Sequence, residues 1–172
     1  MRARYPSGRY LLDTCCLIKL LVPEEGRAVW PVNELFRQGR TSSTLRVLVG
    51  AWTVVEALGV LKAKRGPKRP DQINQAQYLF AAMSLIGLTK TRQLVVFDPR
   101  MSQGRLNRVI AEANMAGVDV LDALQLELMR RLIASAPRSR AVLVTTDGGL
   151  ESAAVERKIP VWNPEHAEPP RA

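Results

Sequence analysis

Arg140-Ala-Val-Leu-Val-Thr-Thr-Asp147 and Arg9-Tyr-Leu-Leu-Asp13 are two short apolar runs that each stop at an aspartate. A continuous run of branched apolar side chains, with no polar alternation, reads as a strand buried on both faces, as in parallel sheets. Open parallel sheets bind ligands beyond the carboxyl ends of their strands. Two strands that both end in Asp therefore place Asp13 and Asp147 on one rim. Crowded carboxylates repel one another, and a hard divalent cation relieves that repulsion. Each Asp also suits the N-cap of the helix that follows its strand, so the capping role stands beside the metal-binding one.

Outward from these two runs, strand and helix patterns alternate. Leu45-Arg-Val-Leu-Val-Gly50, Leu94-Val-Val-Phe97 and Ile159-Pro-Val-Trp162 read as further strands. Helical spacing predicts a short helix through Leu17, Ile18, Leu20 and Leu21, ended by Pro23. A second helix carries Val29, Val32, Leu35 and Phe36, with Pro31 in its first turn and Gly39 just past its end. A third runs from about Thr53 to Arg65 with Val54, Val55, Leu58 and Leu61 inward. A fourth spans roughly 71–88, with Ile73, Ala76, Phe80, Met83 and Gly87 in register. Leu106, Val109, Ile110 and Ala113 mark a fifth, closed by Gly117. Asp119 and Asp122 flank the start of a sixth, through Leu121, Leu124, Leu128 and Leu132, where one acid is the cap and the other projects. A last helix follows Gly148-Gly149. This alternation, without a tight hairpin signal, predicts an α/β sandwich with a mainly parallel central sheet. Residues 1–164 read as a single domain and 165–172 as a loose C-terminal tail.

Composition narrows the function classes. The 172 residues are 47% hydrophobic and 24% charged, ordinary for a globular chain. No apolar run approaches the ~20 residues that span a bilayer, so no membrane partner is expected. The two cysteines, Cys15 and Cys16, are adjacent and build no framework disulfide; a reducing cytoplasm is the expected setting. The formal net charge of +9 favours polyanionic partners such as RNA or DNA. The lone histidine, His166, lies in the tail, which disfavours Ser-His-Asp and multi-histidine zinc sites. No Walker or dinucleotide glycine motif is present, so carboxylates remain as the candidate chemistry. Beyond Asp13 and Asp147 these include Glu56, alone among apolar neighbours and readable as a solvated helix residue. Asp98, in Asp98-Pro-Arg, reads as a turn.

Taken in order, Leu-Leu-Asp13-Thr-Cys-Cys-Leu-Ile-Lys-Leu, Val-Val-Glu56-Ala-Leu, Val-Leu-Asp122-Ala-Leu-Gln-Leu and Val-Thr-Thr-Asp147-Gly-Gly-Leu, with the ending Ile-Pro-Val-Trp-Asn-Pro164, resemble a PIN domain. More narrowly they resemble the single-domain VapC-type ribonuclease toxins of type II toxin–antitoxin systems. The resemblance covers about residues 9–164. It implies a PIN-like three-layer α/β/α sandwich and an acidic cluster that binds Mg2+ or Mn2+ and cleaves RNA. On this resemblance Asp13, Glu56, Asp122 and Asp147 are the catalytic and metal-binding acids, Asp119 becomes the helix cap, and Thr145 matches a hydroxyl residue near the last acid. Gln125 departs from the commoner histidine after Asp-Ala-Leu, and Cys15 from a serine or small residue.

The resemblance also implies a homodimer and a cognate antitoxin protein. An acidic pocket repels phosphates, so basic residues must hold the RNA backbone. Candidates are Lys62, Lys64, Arg65, Lys68, Arg69, Arg130 and Arg131. Two rivals remain: a catalytically silent PIN-fold module that binds RNA or protein, and a metal-dependent DNA nuclease.

Overall fold

The computed structural model of the chain describes residues 5–22, 29–65, 73–98, 100–166 and 168. Five strands, β1 (Gly8–Leu12), β2 (Leu45–Gly50), β3 (Val95–Phe97), β4 (Ala141–Val144) and β5 (Val161–Trp162), form one all-parallel sheet in the order β3-β2-β1-β4-β5. Leu12 is level with Val49 on one side and with Val144 on the other, so three strands finish at one height. The chain builds the sheet outward from β1 to β3 and then crosses to β4. Strand order thus reverses between β1 and β4, the switch point at which open α/β sheets hold ligands.

Seven helices lie among the described residues: α1 (Thr14–Leu21), α2 (Val29–Thr41), α3 (Ala51–Ala63), α4 (Gln75–Lys90), α5 (Gln103–Ala116), α6 (Val120–Ser135) and α7 (Gly148–Glu156). The twofold alternation of strand side chains divides the core between them. Tyr10, Leu12, Val47, Val49, Val142 and Val144 pack under α1 to α4. Leu11, Leu48, Ala141 and Leu143 pack against α6 and α7. Both faces are covered, giving a three-layer α/β/α sandwich and explaining why Val142-Leu-Val144 is apolar without alternation. Truncating a side chain as enclosed as Leu143 to Ala costs about 2–5 kcal/mol. No helix among the described residues is long and apolar enough to cross a membrane.

The parallel sheet, its strands and the order of elements follow the sequence reading. Several helix faces do not. In α3 the fully enclosed residues are Thr53, Ala57 and Leu61, while Val55 is exposed. In α4 Ala81 and Leu85 face the core, whereas Phe80 and Met83 are 69% and 72% exposed. That helix is apolar on two sides, so spacing alone did not select the buried one. It also starts at Gln75, where Asn74 and Gln77 form a capping box. Ile73, expected inside α4, instead bridges Arg65. Gly39 lies within α2 rather than past its end, and its lack of a Cβ, which would stand 2.9 Å from Val47 Cγ2, lets the helix pack closely on β2. The expected stop at Pro23, the loop residues Lys68 and Arg69, and tail residues 169–172 lie outside the described residues.

Candidate functional site

Asp13 follows β1 directly and caps α1, its Oδ1 accepting from the Thr14 amide at 2.6 Å. Its amide donates to Val144 O at 3.0 Å, so the end of β4 fixes where the side chain begins. Oδ1 also accepts from Gln125 Nε2 at 3.5 Å, and Oδ2 accepts from Thr145 Oγ1 and Cys15 Sγ, each at 3.0 Å. Asp13 is only 6% exposed. Burial pushes its carboxyl up to about 8; neighbouring Cys15 adds to the rise, and the Thr14 amide and Thr145 hydroxyl oppose it.

Asp147 caps α7, accepting from the Leu150 amide at 2.9 Å, and is exposed at the rim. Its own amide donates to Thr145 Oγ1 at 2.9 Å, so buried Thr145 joins both strand-end acids. The capping reading and the rim reading are therefore both true of Asp13 and Asp147.

Glu56 sits on the second turn of α3, which starts directly after β2, and its Oε2 accepts a short hydrogen bond from Thr14 Oγ1. It is tied to the first turn of α1 rather than left as a solvated helix residue. At α6, Asp119 is the cap and accepts from the Asp122 amide at 2.8 Å, leaving the Asp122 side chain to project from the first turn. Burial pushes the Asp122 carboxyl up to about 6, and the charges of Asp119, Asp147, Glu56 and Cys15 add to the rise. Acids from α3, α6 and the β4–α7 segment thus share one field. Asp98 is exposed beyond β3, as a turn residue would be.

Shared field is not a closed ligand shell. Among the described residues, no group of three or more His, Cys, Asp or Glu converges tightly enough to hold a metal ion. The two observations are compatible, because Coulombic coupling reaches well beyond the ~2.1 Å of a magnesium–oxygen bond. Carboxylate oxygens are the donor type a hard cation takes, but the described acids do not converge on one position.

Several contributors escaped the sequence reading. Thr14 holds Glu56, and Thr53 accepts from Gln125 Nε2 at 2.5 Å. Gln125 is nine-tenths buried, and its Oε1 has no hydrogen-bond partner. Thr53 and Glu56, spaced i and i+3 on α3, were a readable signal of one polar face on an otherwise apolar helix. Of the candidate basic residues, Arg130 is paired with Glu112 at 2.8 Å and Arg131 reaches Arg100 O at 3.4 Å. Arg65 bonds Gln75 Oε1 at 2.7 Å and stands 5.9 Å over the Tyr78 ring. Lys62 is exposed on the last turn of α3.

Fold and rim together define a doubly wound α/β sandwich with an acidic switch point. No family model matches the chain, and no curated protein matches it. Among solved structures, the chain is similar to the crystal structure of PAE2754 from Pyrobaculum aerophilum. The TM-score is 0.51 at 20% identity, over 85% of this chain and 84% of that one, a likeness of fold.

Proposed function

We propose that the chain is a PIN-like, metal-dependent endoribonuclease, a VapC-type toxin of a toxin–antitoxin pair. The observation that carries this is the geometry at the β1/β4 switch point, where Asp13 and Asp147 end neighbouring strands and are joined through Thr145, with Glu56 hydrogen-bonded to Thr14 beside Asp13. Asp13 and Asp147 also cap helices, but carboxylates gathered from separate elements repel one another, and a cation between them would remove that penalty.

In this reading Asp13 and Asp122 hold the principal Mg2+ or Mn2+, and Glu56 and Asp147 orient its waters or complete a second position. The bound ion supplies charge neutralisation at the phosphate and activation of a water. The chain's own residues do the positioning. Thr145 fixes the rotamer of Asp13, Thr14 turns Glu56 toward the rim, and Asp119 caps α6 so that Asp122 stays free to project. Asp13 accepts from Cys15 and, at 3.5 Å, from Gln125, weak donors that would leave its oxygens available to a hard cation.

The resemblance that motivates the toxin assignment also motivates a homodimer and an antitoxin. The exposed Phe80, Met83 and Ile86 of α4 support a pairing surface.

The test is cleavage of a mixed pool of structured RNAs by wild type and Asp13→Asn with Mg2+, Mn2+ or EDTA. Cleavage that requires both the metal and Asp13 is expected. Cleavage by folded Asp13→Asn at the wild-type rate would sink the assignment. One observation favours the silent-module reading: both strand-end acids are already engaged as helix caps and no tight ligand group forms. A Mn2+-dependent rise in melting temperature that Asp13→Asn abolishes separates the two readings in favour of the enzyme.

A further inference from the structure

An acidic rim repels the phosphodiester it is to cleave, so a cation must lie beside it. Several of the described cations are committed elsewhere. Glu34 grips Arg37 through two contacts at 2.8 and 2.6 Å. Glu112 binds Arg130 and Arg157, and Arg108 reaches Glu127 at 3.3 Å. Arg9 bonds Ser135 at the amino-terminal edge of the sheet, opposite the rim.

Lys19 is placed differently. Cys15 and Lys19, at i and i+4, share the face of α1 turned toward the β4–α7 segment. Cys15 Sγ accepts from the Thr146 amide at 3.2 Å, and Lys19 Nζ donates to Thr146 Oγ1 at 3.0 Å. Thr146 lies between Thr145, which binds Asp13, and Asp147. The ammonium is thus seated one residue from the acids. Its other partner is Glu165 Oε1 at 2.8 Å. Glu165 is presented by a built support: its amide donates to Asn163 Oδ1 at 3.0 Å, and buried Asn163 donates to Glu151 Oε2 at 2.7 Å. The two side chains are 20% and 34% accessible, an exposure at which an ion pair is weak and exchangeable. An ammonium has three donors, and these two partners leave one for an incoming oxygen.

We propose that Lys19 binds a backbone phosphate of single-stranded RNA at the rim, and that Glu165 is its internal stand-in, displaced when the strand enters. This rests on the nuclease reading of the acids for its biological sense, but its test needs no cleavage. Binding of a short labelled RNA of mixed sequence to the full chain in EDTA is followed by fluorescence anisotropy across a salt series. Wild type, Lys19→Gln, Lys19→Arg and Glu165→Gln are compared, each checked for fold by circular dichroism.

Lys19→Gln should weaken binding on the order of tenfold and lower the slope of log K against log salt by about 0.7. Lys19→Arg should restore both, and Glu165→Gln should tighten binding severalfold. A folded Lys19→Gln protein with the wild-type affinity and salt slope overturns the proposal, as does Glu165→Gln that fails to tighten binding. Equal affinity for DNA of the same sequence overturns RNA as the partner. If Lys19 and Glu165 behave as expected while wild type cleaves nothing in Mg2+ or Mn2+, the phosphate site stands and the nuclease reading falls. Absence of any binding by wild type removes the proposal, and the cleavage assay then judges the nuclease reading separately.

Discussion

Thr145 Oγ1 donates to Asp13 Oδ2 at 3.0 Å from a fully buried position, and the same oxygen accepts from the Asp147 amide at 2.9 Å. One hydroxyl therefore sets the orientation of the most enclosed acid and the path of the backbone that carries the most exposed one. Thr145→Val keeps the shape and removes the hydrogen bonds. If Asp13 holds the proposed metal, cleavage should fall by roughly 10- to 100-fold, the usual effect of removing a group that orients a metal ligand. Urea unfolding should show a loss of about 1–3 kcal/mol from the unpaired partners. Thr145→Ser should recover most of the activity. Full activity in Thr145→Val would show that Asp13 needs no such alignment.

The raised carboxyls of Asp13, about 8, and Asp122, about 6, predict how stability depends on pH. An acid whose folded pKa lies above its unfolded value keeps its proton in the folded state while the unfolded chain has lost it. Stability is then lost as pH rises from about 4 through the folded pKa values and levels off above them. The Cys15 thiol, hydrogen-bonded to Asp13, shifts the opposite way, down to about 4, and offsets the Asp13 loss over the same interval. Metal-free protein should therefore lose melting temperature chiefly between pH 4 and 6, with Asp122→Asn flattening that slope. A divalent cation bound as proposed would compete with those protons, so its stabilising effect should grow over the same interval. At 100 times the dissociation constant, it should reach about 2.7 kcal/mol. A pH-independent metal-free melt would contradict the raised Asp122 carboxyl.

Much of the fold was readable because both-face burial leaves a plain signature in β1, β2 and β4. The rim position of Asp13 and Asp147 followed from the same runs. What escaped reading depended on three-dimensional neighbours. Nothing local distinguishes Phe80 from Leu85 in α4, since the helix offers two apolar sides and only the position of the sheet chooses between them. Thr14 meets Glu56, and Gln125 meets Thr53, only after separate elements pack together. Lys19 and Glu165 are 146 residues apart, so nothing local in the sequence pairs them.

Gly50 ends β2 and precedes α3 without a side-chain cap. A Cβ there would stand 2.7 Å from Leu128 Cδ1 and 2.9 Å from Thr53 Oγ1. The tight contact seats α3, and with it Glu56, against α6. Gly50→Ala should therefore destabilise by about 1–3 kcal/mol through overpacking. It should also lower cleavage, because Thr53, the partner of Gln125, is among the atoms that must move. Equilibrium urea melts together with the RNA assay check both effects. An unchanged melt would mean that Leu128 yields freely.

Phe80, Met83 and Ile86 expose 69%, 72% and 65% of their surface on successive turns of α4. Grooves of about 440 and 340 Å³ adjoin Phe80, the first lined by Leu20, Phe36 and Leu88 and the second by Leu21, Val22 and Ala76. A ridge beside its own groove is the self-complementary arrangement that a twofold pair requires. The proposed dimer should therefore form through this face. Phe80→Asp combined with Met83→Asp should give a monomer by sedimentation velocity at concentrations where wild type is dimeric. Because both side chains are already solvent-exposed, each change should alter the monomer's own stability by no more than about 0.5 kcal/mol. Wild type that sediments as a monomer at high micromolar concentration would remove the pairing role, and a dimer that survives both aspartates would move it to another face.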